Sequence, residues 1–270
     1  ILFASYGTPT GTCGNFGIGG CHASNTVTKL APLLLGQNTL TMSFGTQDGL
    51  FGDPCMGVNK FLYVWARYYY KTNANLTKIE DLTNFNNDGT FANGVYYDSE
   101  GGGSLAFDGT NDYVIIPNSS TNNPSDNFTV QFWFLPKIAA SKVLIHKYTG
   151  SVQGWLFSFN MNTITFDARN LTADGYKQIA SNTTVILNNW YHVVGVKAGT
   201  NMYLYQNGLL VGSTTWTTPG DMATNNPIVI QGYGGDFIQC NIADFRMYTR
   251  PLIATEISAY YNLTKSRYGL

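Results

Sequence analysis

The segment Phe128 to Leu135, FTVQFWFL, places Phe128, Val130, Phe132 and Phe134 at alternate positions. Period-2 alternation is the mark of a strand with one face in a core, because successive side chains point to opposite sides of a sheet. The same texture recurs along the chain. Tyr203–Gln206 and Leu209–Gly212 flank Asn207-Gly208, a dipeptide suited to the two positive φ angles of a type I′ hairpin turn. Further strands are expected at Ser104–Phe107, Tyr113–Ile116, Lys142–His146, Trp155–Phe159, Thr163–Asp167, Trp190–Val196, Ile228–Gln231 and Ile242–Tyr248. Ten or more short strands punctuated by Gly, Asn and Asp describe a sandwich or jelly roll. Ile253 to Tyr261 is expected to be helical, with Ile257 and Tyr260 or Tyr261 on one face with Ile253.

Composition narrows the function. Charged residues are 11% of the 270, with a net charge of -1, which excludes binding driven by a clustered basic surface on phosphate. Apolar content of 44%, with 5 Trp, 18 Tyr and 16 Phe, excludes a charge-rich disordered chain. No apolar run approaches the ~18 residues of a membrane span. The longest, Leu30–Leu35 and Phe61–Ala66, are strand-sized. The chain begins at Ile1, which reads as a processed product or a fragment without its signal peptide.

The texture divides the chain. Residues 1–68 carry Cys13, Cys21 and Cys55, while the fourth cysteine is Cys240. Residues 69–84 read as a polar linker with a helical turn at Thr77–Leu82, and residues 85–270 carry the regular strands. The cysteines lack CxxC or His-rich spacing, which argues against zinc. An extracellular setting makes one or two disulfides the simplest reading, against four buried free thiols. Sequons at Asn75, Asn118, Asn127, Asn170, Asn182 and Asn262 are weak evidence by number, being little above chance, but most fall in turn-like stretches that suit a glycan.

GSLAFDGTNDYVIIP (103–117), FTVQFWFLP (128–136), NNWYHVVGVKAGTNMYLYQNGLLVGS (188–213) and CNIADFRMYTRPLIATEISAYYN (240–262) resemble the concanavalin A-like, laminin-G-like jelly roll. That resemblance implies carbohydrate or protein binding and a structural Ca2+ ion, whose matching ligands are Asp244 of IADFR and Asp108 of FDG. Asp108 has the alternative of simply capping its Asp-Gly turn. The hydrolases of that superfamily place paired Glu residues on one strand. Here Glu80, Glu100 and Glu256 fall in the linker, a Gly-rich loop and the terminal helix, so a hydrolase is disfavoured. His22, His146 and His192 lack a nucleophile pattern such as G-x-S-x-G.

ASYGT (4–8), Cys13, Cys21, LGQNTL (35–40) and FGDPCMGVNKFLYV (51–64) resemble the galactose- and rhamnose-binding lectin domain of sea-urchin eggs. The matching site residues are Tyr6 as pocket wall, Asp53 as acceptor from vicinal sugar hydroxyls, and Lys60. Thr8 stands where that family has Arg, and Leu34, Leu40 and Tyr68 stand at cysteine positions. The resemblance implies the disulfide Cys21–Cys55. It leaves Cys13 to pair with Cys240, the favoured expectation, or with a cysteine of another chain or a removed segment.

The expected fold is mainly β: a small disulfide-stapled lectin-like domain followed by an antiparallel β-sandwich of jelly-roll type. The expected function is non-catalytic carbohydrate binding or adhesion at an extracellular or virion surface. Its partners would be glycans or glycoproteins, with self-association, and neither nucleic acid nor membrane insertion. The alternative is a structural subunit of a surface assembly, with residues 1–68 a retired lectin fold used as an adaptor.

Overall fold

The computed structural model describes residues 3–12, 15–34, 47–65, 77–149, 153–170, 175–217, 220–232 and 234–270. The chain forms two units, Ile1–Lys71 and Thr72–Leu270. Cys13, Leu40, Tyr68 and Asn75 lie outside the described residues.

In the first unit, strand Phe3–Gly7 pairs antiparallel with Phe61–Trp65. Residues Thr26–Leu34 and Gln47–Phe51 form helices. The Leu30 run is thus helical rather than strand-like. Its helix is tied to the first strand because Thr26 Oγ1 accepts a bond from the Tyr6 N–H and donates to the Ala23 carbonyl. Leu30, fully buried, anchors it among Ala4, Tyr6, Ala23 and Phe51. An outlying ribbon, Thr10–Thr12 with Asn15–Gly17, rests on aromatic contacts, Phe16 lying 5.7 Å from Phe3 and 5.1 Å from Tyr63 between ring centroids.

The second unit is a sandwich of two antiparallel sheets. One has seven strands in the order Leu209–Thr215, Asn201–Gln206, Tyr191–Ala198, Asn127–Pro136, Gln239–Tyr248, Ser104–Asp108, Tyr96–Asp98. The other has eight: Tyr176–Ala180, Thr163–Arg169, Gln153–Asn160, Ser141–Thr149, Ile228–Ile230, Tyr113–Ile116, Gly89–Ala92, Lys78–Ile79. The expected strands are present, and Asn207 and Gly208 take φ of 52° and 78°, as a type I′ turn requires. The sheets meet through the alternating aromatics, with Phe132 edge-on to Phe157 at 5.2 Å and Phe134 to Phe159 at 5.4 Å. Each such fully buried side chain contributes about 1.5–3 kcal/mol over its exposed state.

Two expectations change here. Residues 78–84 are part of the sandwich rather than a linker, and Lys78–Ile79 is strand where a helical turn was expected. Asp81 accepts from the backbone N–H of Thr83 and of Asn87, and Asp88 accepts from the Asp81 N–H and Lys78 Nζ. These bonds turn the chain back as a hairpin. The second concerns the strand Asn127–Pro136, where alternation marked a single face for the core. Thr129, Gln131, Trp133 and Leu135 are all fully buried. Helix Ala254–Thr264 and the turn that follows cover that face, with Ile257 and Leu252 packed on Val194, Val196 and Tyr205. Tyr268 and Trp190 pack there with Trp133.

The face of the eight-stranded sheet opposite the core carries polar groups in register. His146 stands opposite Leu156, Leu156 opposite Asp167, and Asp167 opposite Gln178. The Arg169 guanidinium lies 4.5 Å from the Tyr176 ring centroid and 5.5 Å from that of Tyr148.

Candidate carbohydrate site

The turn after helix Gln47–Phe51 carries Asp53 and Cys55, and Lys60 lies just before strand Phe61–Trp65. Disulfide Cys21–Cys55 ties this turn to the segment opposite the Tyr6-Gly7 strand end. The approach there is close: Gly7 has φ of 141°, and a Cβ on it would run into the Cys21 carbonyl oxygen. Glycine is therefore required at that step. Thr8, at the position of the family's arginine, exchanges bonds with Cys21, accepting from its N–H at 3.1 Å.

Lys60 Nζ lies 2.8 Å from Asp53 Oδ1, with side-chain exposures of 8% for Lys60 and 39% for Asp53. The same oxygen accepts the Cys55 N–H at 3.0 Å. The Lys60 hydrogen bond, followed by the backbone bond, holds the Asp53 carboxyl below its usual range. One oxygen is thus committed to fixing the carboxylate, while Oδ2 bonds to none of the described residues and belongs to a side chain that is 39% exposed. An ionised, oriented acceptor beside a cation suits a vicinal diol, because charge-assisted hydrogen bonds are the stronger ones. Tyr6 is buried, its ring 5.2 Å from Phe51, and so supports the turn from within instead of forming an exposed wall.

Sequence reading missed the pair Ser5 Oγ and His22 Nδ1, 2.8 Å apart. A serine–histidine contact at this distance is the geometry of a nucleophile and its base. Ser5 is fully buried, however, so its hydroxyl cannot meet a substrate, and the bond fixes the strand to the disulfide segment. No local motif announces it, since the two residues meet only through the fold.

The expected calcium ligands do not converge. Asp108 stands opposite Gln239, and Asp244 lies five residues further along the same strand, roughly 16 Å at the usual rise. Asp108 Oδ1 accepts the Thr110 N–H at 2.7 Å, which is the turn-capping role. Asp244 sits at a bulge with φ of 49°, its carboxylate bonded to Arg246 Nε at 2.7 Å and to the Tyr260 hydroxyl. It fastens the terminal helix to the sheet. Among the described residues no three His, Cys, Asp or Glu side chains gather as a metal site. Calcium therefore does not fit these two residues.

The cysteine expectation divides in the same way. Cys21–Cys55 forms. Cys240 is a free thiol, fully buried in the sandwich core and contacted by the Gln231 amide, and burial pushes its ionisation far up. The expected Cys13–Cys240 bridge is therefore overturned on the Cys240 side. Of the sequons, Asn127, Asn182 and Asn262 are exposed and Asn118 is half-buried, its Oδ1 accepting from Lys147 Nζ. Asn170 is 4% exposed and packs against Gly220, so it cannot carry a glycan in the folded chain. The glutamates are scattered: Glu80 lies near Lys78, Glu100 pairs with Lys137, and Glu256 caps the terminal helix while pairing with Arg250.

An antiparallel two-sheet sandwich with a helix across one outer face is the architecture of lectin-like jelly rolls. Residues 108–258 match the concanavalin A-like lectin/glucanases superfamily, and the chain belongs to that family. Among solved structures, the binding domain of Paraclostridial Mosquitocidal Protein 1 aligns with a TM-score of 0.61 at 19% identity, over 71% of this chain and 51% of that one. The botulinum neurotoxin serotype G binding domain aligns at 0.58 and 20%, over 72% and 50%. The binding domain of botulinum neurotoxin DC in complex with SialylT aligns at 0.56 and 16%, over 70% and 51%. At these identities the likeness is one of fold. Two curated relatives, β-galactosidase 6 of Oryza sativa subsp. japonica and β-galactosidase 8 of Arabidopsis thaliana, are each 41% identical over 66 residues. That stretch is 24% of this chain and 8% of each enzyme.

Proposed function

We propose that this chain is a non-catalytic carbohydrate-binding or adhesion protein of an extracellular or virion surface, with Asp53 and Lys60 contacting the sugar. The observation that carries the reading is the half-exposed Asp53 carboxylate, fixed through one oxygen by Lys60 and the Cys55 N–H. The stretch shared with enzymes named β-galactosidases supports a galactose-type ligand. The buried Ser5 hydroxyl and the three separated glutamates support a role without catalysis. The Cys21–Cys55 disulfide fits an oxidising compartment, and no helix among the described residues is long and apolar enough to cross a membrane.

The test is titration calorimetry of the whole chain with galactose and rhamnose, before and after Asp53→Ala. Loss of about 1.5–3 kcal/mol of binding on substitution matches a hydrogen bond to a charged group. Absence of saturable binding to either sugar overturns the reading.

A further inference from the structure

The second unit carries a shallow cleft of about 610 Å3 on a different part of the chain, lined by Phe85, Thr121, Asn123, Asp126, Asn127 and Thr249 among others. Its size lies within the roughly 300–1,000 Å3 of small-molecule sites. Three polar lining side chains are each fixed through one atom. Asn123 Oδ1 accepts the Thr224 N–H at 2.9 Å, Asn127 Oδ1 accepts the Gly199 N–H at 2.9 Å, and Asp126 Oδ1 accepts Lys197 Nζ at 2.6 Å. Among the described residues, both amide Nδ2 groups and Asp126 Oδ2 make no hydrogen bond. Thr121 is set by a network in which its Oγ1 accepts from Asn87 Nδ2 at 3.0 Å and contacts Ser119 Oγ at 2.8 Å. The cleft thus presents oriented donors and an acceptor whose ordering is already complete, which lowers the entropic cost of binding.

Beside them, the Phe85 ring is 61% exposed. An apolar ring next to oriented donors and acceptors matches a pyranose, which has an apolar C–H face and a hydroxyl-bearing rim. Charge selects further. The cleft's carboxylate, Asp126, is neutralised by Lys197, whose side chain is fully buried and lies 5.4 Å from the Trp216 ring centroid. No unpaired cation is present among the lining residues to hold an anionic sugar.

We infer that this cleft is a second saccharide site, selective for uncharged sugars and separate from Asp53. The probe is an array of neutral and sialylated oligosaccharides, with the whole chain produced without glycosylation so that the Asn127 sequon is bare. In an Asp53→Ala background, capture of neutral oligosaccharides persists. Adding Phe85→Ala, or Asn123→Asp, lowers that capture about tenfold or more. Both changes preserve the fold: Phe85 is exposed, and Asn123→Asp keeps the acceptor used by Thr224 while converting the donor. Loss of all capture with Asp53→Ala alone overturns the inference. So does capture unchanged by both cleft variants, or capture confined to sialylated ligands. If Asp53→Ala leaves galactose and rhamnose binding intact while the cleft variants abolish array capture, the first site fails and the second stands.

Discussion

The rings of Trp133 and Tyr268 stack with centroids 3.9 Å apart and planes 17° apart. This contact joins the central strand of the seven-stranded sheet to the last turn of the chain. Tyr268 is 5% exposed, and among the described residues its hydroxyl has no hydrogen-bond partner. Tyr268→Ala should therefore cost about 3–5 kcal/mol, as for other buried aromatics. Tyr268→Phe removes only an unsatisfied polar atom and should be neutral or stabilising by up to about 1 kcal/mol. Urea unfolding of the two variants checks the pair, and equal losses would refute the stacking argument.

The His192 ring lies 5.2 Å from that of Trp133, fully buried, and among the described residues neither of its nitrogens is bonded. Burial pushes its pKa down to about 4, with Asp244 raising it and Arg246 lowering it. The unfolded chain therefore binds this proton more readily than the folded one. The resulting stability is complete above pH 6.5 and is lost as pH falls toward 4, by about 3 kcal/mol. Chemical unfolding of the parent chain and of His192→Phe between pH 4 and 7 should differ by this slope, because the parallel contribution of His146 and the opposing one of Asp167 are common to both.

Asp167 works in the opposite direction. Burial raises its pKa to about 6, against the lowering effects of Gln178 and Arg169. Ionising it in the folded chain is costly, so its contribution weakens stability as pH rises from about 4 to 6. Asp167→Asn should gain about 1–3 kcal/mol at pH 7 and nothing at pH 3.5. Differential unfolding at the two pH values checks it.

Cys240 should resist alkylation in the native chain and react fully on unfolding without reductant. Mass spectrometry of the iodoacetamide-treated protein reads this directly. Alkylation only after reduction would restore a disulfide at Cys240.

Much of the sandwich was legible because strand alternation is local: Phe128 to Phe134 and Asn207-Gly208 carry their geometry in adjacent residues. Asp53 and Lys60 came from the family resemblance of FGDPC and the lysine that follows it, and their 2.8 Å contact across seven positions of chain is what the structure adds. The misreadings were non-local. Nothing near Thr129 or Gln131 says that a helix more than a hundred residues later will cover them. Asp108 and Asp244 matched a ligand pattern, but strand register holds them apart. Leu30 fits a strand or a helix equally well until Thr26 bonds to Tyr6 and Ala23. The cleft residues were passed over because TNNPSDN (121–127) reads as an ordinary turn until its amides are fixed from Thr224 and Gly199.

The cover over Trp133, Val194 and Val196 comes from residues 252–268, which the ribosome delivers after every strand of the sandwich. A nascent chain can pair its sheets before it owns the helix, and in that interval an aromatic and β-branched surface stands bare. Such a surface invites association with other chains. Passage through biosynthesis therefore depends on how promptly residues 252–268 dock, and substitutions at Ile257 or Tyr268 should reduce yield of soluble protein even where the finished fold tolerates them.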